Sequence, residues 1–163
     1  MNRSYMLGRF GAALAPVLHP DEIPDQLVDV RSRFALTDIG IPTSIGDAVM
    51  TNVYGMRPLR ENLGGVELPA WARSDNVLAL GLFLDGFLCL DGKNGSVLLL
   101  TRELEEVPVK LASDLYVFTS ILARVSETAT SAADLDITAL IEQIDPSALS
   151  SSPTWEMMVK SLG

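Results

Sequence analysis

Apolar residues recur at different periods along this chain, and the changes of period outline its elements. Near the N-terminus Met6, Phe10, Ala13, Leu14 and Val17 fall at helical spacing, which predicts an amphipathic helix packed on the core. Ile23, Leu27, Val30 and Phe34 repeat at four, three and four residues, and Pro24 suits a first turn, so 24–34 reads as a second helix. Gly40 and Pro42 then punctuate a tight turn after Leu36-Thr37-Asp38-Ile39. Residues 43–70 are poorly periodic and yield one short strand, near Val53-Tyr54.

The clearest pattern lies between Val77 and Thr101. Three apolar runs, 77–84, 87–91 and 96–101, are separated by Asp85-Gly86 and by Gly92-Lys93-Asn94-Gly95. Both separators are hairpin signals, because Asp-Gly and Asn-Gly tolerate positive φ. Short runs joined by tight turns make an antiparallel meander. The runs are apolar at nearly every position, so both sheet faces are covered, by helices or by helices on one side and loops on the other.

Beyond 101 the pattern reads as helical. Ser113 caps a helix striped by Leu115, Phe118, Leu122 and Val125. Ser131 and Asp134 resemble a weak capping box before a stripe of Ile137, Leu140, Ile141 and Ile144, which Asp145-Pro146 ends. Ser150-Ser151-Ser152 reads as a short loop. Pro153 opens a last helix striped by Trp155, Met158, Val159 and Leu162. Helices, a meander and more helices define an α+β class, and 163 residues suit one domain over 1–163.

Composition narrows the function. Twelve Lys and Arg face 21 Asp and Glu, a net charge of −9, with the excess negative charge after residue 60. Such a chain repels nucleic acid and anionic lipid and favours a basic partner. No apolar run is long enough to cross a membrane, and Arg9 spoils a signal-peptide reading; a transit peptide is the minor alternative to a cytoplasmic location.

Cys89 is the only cysteine and His19 the only histidine. Neither a Cys/His zinc site nor a nucleophile–histidine–acid set is assembled from them. Cys89 reads as a buried hydrophobe, His19 as a loop or helix-end residue, and Leu7-Gly8-Arg9-Phe10-Gly11 is no phosphate loop. Asp85 and Asp91 are either metal or acid/base carboxylates, as an enzyme would need, or, the favoured reading, residues at turn positions that aspartate fills for backbone reasons.

What remains is binding chemistry. Glu103, Glu105 and Glu106 form either an acidic contact surface or a solvated strand end. Trp71 is either an exposed partner anchor or a core residue. These residues favour binding over catalysis, with no cofactor, and do not name the partner.

Four pieces of the chain resemble one family in order and spacing. They are Leu36-Thr37-Asp38-Ile39-Gly40-Ile41-Pro42; the Gly81 strand with Phe87-Leu88-Cys89-Leu90-Asp91, Gly95 and Val97; Leu111-Ala112-Ser113-Asp114-Leu115-Tyr116-Val117-Phe118; and Asp145-Pro146-Ser147-Ala148-Leu149 followed by Trp155. Together, over about 24–163, they are similar to the SUKH superfamily, most of all to its fourth branch, associated with nucleic-acid and nucleotide deaminase toxins. Ala112 departs from the asparagine frequent there, and 43–76 has no clear counterpart.

The resemblance implies a curved antiparallel sheet flanked by helices. It also implies a non-enzymatic immunity protein that blocks a cognate toxin domain, a nuclease or deaminase, by protein–protein contact. A regulatory scaffold or adaptor of the same fold is the alternative. On this reading Asp91, Glu103, Glu105 and Glu106, clustered near one end of the meander, together with Trp71, meet a basic toxin domain. The oligomeric state is not legible, and an exposed meander edge is where copies would pair.

Overall fold

The computed structural model describes residues 1–129 and 135–162. Its centre is a six-stranded antiparallel sheet in sequence order: β1 Ser44–Ile45, β2 Val49–Thr51, β3 Val77–Phe83, β4 Gly86–Asp91, β5 Val97–Leu100 and β6 Val109–Ala112. Helices α1 Arg3–Phe10 and α2 Val30–Phe34 precede the sheet, α3 Leu59–Asn62 interrupts it, and α4 Leu115–Ala129, α5 Ile137–Ile144 and α6 Ser152–Ser161 follow. The α+β class and the 77–101 meander expected from sequence are both present.

Alternation along the strands sends side chains to two different cores. Leu78, Leu80, Phe83, Leu88, Leu90, Val97, Leu99 and Leu111 pack against α4 and α6 in the main core. Val77, Cys89, Leu98 and Leu100 point the other way, onto Leu59, Leu68 and Ala72. Continuous apolar runs therefore mark a sheet covered by helices on one face and by the arm 59–73 on the other. The stripes predicted for α4, α5 and α6 all face inward, with Leu115, Phe118, Leu122, Ile141, Trp155 and Met158 at 0% exposure.

Gly81 fixes the geometry of the central strands. The β3–β4 register shifts between Ala79 and Gly81, and a Cβ at Gly81 would lie 2.0 Å from the Met50 carbonyl oxygen of β2. No side chain fits there, so β2 approaches β3 only because position 81 is glycine. The shift also returns Phe83 to the helix-covered face.

Several expectations need correction. The stretch 24–34 is helical only from Val30, where Asp29 caps the helix by accepting from the Ser32 N–H at 2.7 Å. Val30 is 77% exposed and the buried face is carried by Ser32, Ala35, Leu36 and Ile39. The helix does not stop at Phe34 but continues as a π-helical turn, Ala35–Ile39, until Gly40 at φ 90°. A Cβ at Gly40 would lie 2.8 Å from the Ala15 carbonyl oxygen, so the close approach of the N-terminal segment requires glycine. Helix α1 ends at Phe10, and Val17 is exposed rather than part of a stripe.

No strand forms at Val53-Tyr54; β1 and β2 lie just before it. The segment after 101 contains a further strand, β6, that the helical reading missed. The cap of α4 is Asp114, whose Oδ1 accepts from the Val117 N–H at 2.8 Å, while the Ser113 N–H donates to Asp145 Oδ2 at 2.5 Å. Ser150 and Ser151 lie in a 3-10 turn, Pro146–Ser151, and Ser152 already opens α6. The capping-box residues Ser131 and Asp134 lie outside the described residues.

The outer strands are not open edges. Backbone pairing of 13–15 with 41–43, including Ala15 N–H to the Ile41 carbonyl at 2.9 Å, flanks the β1 side. The turn Pro146–Ser151 packs beside β6, where Lys110 Nζ donates to Ser147 Oγ at 3.0 Å. Edge-to-edge pairing of meanders is thereby blunted.

Candidate partner-binding face

The sheet face opposite α4 and α6 is only partly covered. The arm 59–73 seals its centre and leaves a depression of about 750 Å³ beside the β3–β4 hairpin. Val66, Leu82, Leu84, Phe87 and Leu104 supply its apolar lining, and Asp85 and Arg102 its polar rim. Leu82 is 40% and Val66 47% exposed. Leu82 pairs with Phe87 across the hairpin and with Met50, itself exposed, on β2.

The backbone around the depression is unusual. The hairpin closes through Leu84 and Asp85, because Phe83 pairs with Gly86. Leu84, not Gly86, carries the positive φ, 53°, that the Asp-Gly signal had placed on glycine. Leu104 repeats this at φ 53° in the loop after β5. Among the described residues these two are the non-glycine residues at positive φ, and both line the same depression. A leucine there costs about 1–3 kcal/mol of backbone strain relative to an unstrained conformation.

The glutamate cluster borders this place. Glu103, Glu105 and Glu106 are exposed on either side of Leu104, and among the described residues they form no ion pair. Arg102, their one basic neighbour in sequence, is held elsewhere: its Nε lies 3.3 Å from Asp85 Oδ2 and donates to the Asp85 carbonyl at 3.2 Å. Trp71 resolves between its two readings as a half-buried residue packed on the outer core. Its Nε1–H donates to the Glu105 carbonyl at 3.1 Å and ties the acidic loop to the arm.

Asp91 is not part of this cluster. Strand β5 runs antiparallel to β4, so the chain after Leu100 returns to the Gly86 end, opposite Asp91. The six residues of β4 separate the two by about 17 Å. The Asp91 carboxylate is also engaged, accepting from the Lys93 N–H at 2.9 Å and from Asn94 Nδ2 at 3.0 Å to close the β4–β5 turn. Gly95, at φ 79°, supplies the positive φ expected of Asn-Gly in that turn.

A second cavity, about 600 Å³, lies between α1, α4 and α5 and is lined by Tyr5, Tyr116, Ser120, Arg124, Glu127 and Leu140 among others. Tyr5 donates its hydroxyl to Glu127. Burial, then that hydrogen bond, raises the Tyr5 phenol, and the same bond is the main cause of the lowered Glu127 carboxyl. No histidine or cysteine reaches into it.

The remaining chemical groups are spoken for. His19 caps the 3-10 turn Pro20–Glu22 on the surface. Among the described residues no three His, Cys, Asp or Glu side chains are placed to hold a metal ion. Among them, too, no helix is long and apolar enough to cross a membrane. Cys89 is fully buried, and burial pushes its thiol up from 9.0 to about 12. A thiol-specific reagent at pH 8 is expected to leave the native protein unlabelled and to label one cysteine after denaturation; rapid native labelling would contradict this burial. Because the folded value is raised, Cys89 favours folding fully below about pH 9, and this contribution is lost as pH rises towards 12.

The sequence singles out the glutamates and Trp71 but does not mark the depression beside them. Its lining is apolar, and apolar residues in a strand carry no mark of which face is left uncovered. The one available signal was Leu84 beside Asp85-Gly86, where a tight loop forces a large residue into the turn.

The fold defines the class: α+β proteins whose antiparallel sheet is backed by helices on one face. A family model described as SUKH-4 immunity protein matches residues 4–160. The chain belongs to that family. Comparison with curated proteins and with solved structures gives no significant match. Membership assigns immunity as the general role and a toxin as the partner.

Proposed function

We propose that the protein acts in the cytoplasm by binding a cognate toxin domain, a nuclease or deaminase, and neutralising it through contact alone. Glu103, Glu105 and Glu106 belong to the contact surface, with Trp71 holding their loop in place. The carrying observation is the family match together with three exposed glutamates that form no ion pair among the described residues. A toxin that acts on nucleic acid presents a basic surface to phosphates, and the same surface is attracted to these carboxylates. Asp91, at the far end of β4, is not included in this surface.

The test begins with capture of partners by the tagged protein from its native host at low and moderate salt. The expected result is one basic chain in near-equal amount, retained less as salt rises. Expressed alone, that chain should arrest growth, and co-expression with this protein should restore it. Several weak partners without rescue would instead support an adaptor and overturn the immunity reading.

A further inference from the structure

We propose that the depression beside the β3–β4 hairpin receives an apolar side chain of the toxin, from a segment in which lysine or arginine flanks that side chain. The inference rests on the immunity reading and specifies its contact. Leu82, Leu84, Phe87 and Leu104, with Val66 at the border of the arm, form an apolar lining left open to solvent. Well-packed apolar anchors inside a polar rim carry most of the energy of protein interfaces.

Charge selects the occupant. Asp85 already compensates Arg102 and Asp75 compensates Arg60, so Glu103, Glu105 and Glu106, with exposed Glu67 beside Val66, outnumber Arg73 of the arm and leave the surroundings negative. A second copy of this chain would bring the same acidic rim against itself, which like-charge repulsion disfavours. A basic segment meets no such opposition.

The backbone supplies an independent observation. Leu84 and Leu104 both sit at φ 53°, where glycine would be relaxed, and both residues border the depression, Leu104 packing on the outer core beside it and Leu84, at its hairpin edge, reaching the main core as well. Strain kept at two positions of one depression is what a binding surface shows when the side chain matters more than local comfort.

This separates binding from folding in a testable way. Leu104→Gly and Leu84→Gly each relieve the backbone while removing one apolar side chain from the border of the depression. Both variants are expected to fold, with midpoints within a few degrees of wild type. The probes are short synthetic peptides of alternating leucine and lysine, serine and lysine, or leucine and glutamate, titrated into the full isotope-labelled chain. The leucine–lysine peptide should shift the amides of Leu82, Leu84, Phe87 and Leu104, and bind at least about tenfold more tightly than the other two.

Each glycine variant should weaken that binding by about tenfold and weaken protection against the toxin. Shifts centred on the Tyr5–Glu127 cavity, equal binding of the serine–lysine peptide, or a concentration-dependent dimer through this face would overturn the proposal. Full protection by both glycine variants would overturn it while leaving the immunity reading intact. Failure of the wild-type protein to protect would overturn the immunity reading and, with it, the toxin as occupant.

Discussion

Trp155→Ala is expected to destabilise the protein by about 3–5 kcal/mol, the range for removing a fully buried large aromatic. Trp155 is 0% exposed and joins α6 to α4 and to two strands of the sheet. Its ring meets Phe83 of β3 edge-on at 5.0 Å and Phe118 of α4 at 5.6 Å, and Phe83 and Phe118 lie 6.3 Å apart. Its Nε1–H donates to the Leu111 carbonyl of β6 at 3.2 Å. Alanine would thus leave a cavity between sheet and helices and a buried carbonyl without its partner.

Against a total stability of about 5–15 kcal/mol, that loss populates the unfolded state visibly. Denaturant titration followed by far-UV circular dichroism should show a much lower midpoint with an unchanged slope. Trp71→Ala, at a half-buried residue, should cost distinctly less. Trp155→Phe separates packing from hydrogen bonding: most of the ring area remains, and the orphaned Leu111 carbonyl costs about 1–3 kcal/mol. A Trp155→Ala loss below about 1 kcal/mol would show that the aromatic cluster does not hold α6 to the sheet.

The cluster also bears on what can be read from sequence. Trp155, Met158, Phe118 and Leu122 announced themselves because α4 and α6 each bury one side, and a one-sided helix imposes a 3.6-residue period. The meander was equally legible, since Asn-Gly and Asp-Gly mark its turns. Strand β6 was hidden for a different reason. Val109–Ala112 is four residues long, contains Lys110, and is held by β5 and the turn Pro146–Ser151 rather than by a local pattern. Strands β1 and β2, two and three residues long, are defined wholly by partners across the sheet.

Helix α2 misled for a related reason. Ile23 and Leu27 are buried, yet they reach the core from irregular chain, so their spacing with Val30 and Phe34 imitates a stripe. Four apolar residues at helical intervals are compatible with two separate contacts to the same core. The glutamates were legible as a group, but their neighbours in space were not. Asp91 lies closer in sequence to Glu103 than Trp71 does, yet Trp71 bonds their loop and Asp91 lies at the other end of the sheet. Antiparallel pairing exchanges nearness along the chain for nearness across it.

Reversing the three glutamates to lysine is expected to slow toxin association by roughly 10- to 1,000-fold at low salt while leaving dissociation nearly unchanged. Each change adds two positive units, taking the net charge from −9 to −3 with the change concentrated beside the depression. The fold should not suffer, because the three side chains are exposed and make no ion pair among the described residues.

Exposed charge pairs add only about 0–1 kcal/mol each once formed, so the main effect lies in encounter rather than in the docked state. Salt provides the check. The Debye length shrinks from about 30 Å at 0.01 M to about 8 Å at 0.15 M, so the gap between wild type and variant should narrow steeply over that range. Stopped-flow association across a salt series measures it directly, and Glu→Gln changes at the same positions should give an intermediate rate. An unchanged association rate at low salt would remove the glutamates from the contact surface. A faster dissociation at every salt concentration would instead place them inside the desolvated interface, because truncated buried pairs act on the off-rate. On the proposed contact the work divides: the carboxylates would set how often the partner arrives, and the apolar lining of Leu82, Phe87 and Leu104 how long it stays.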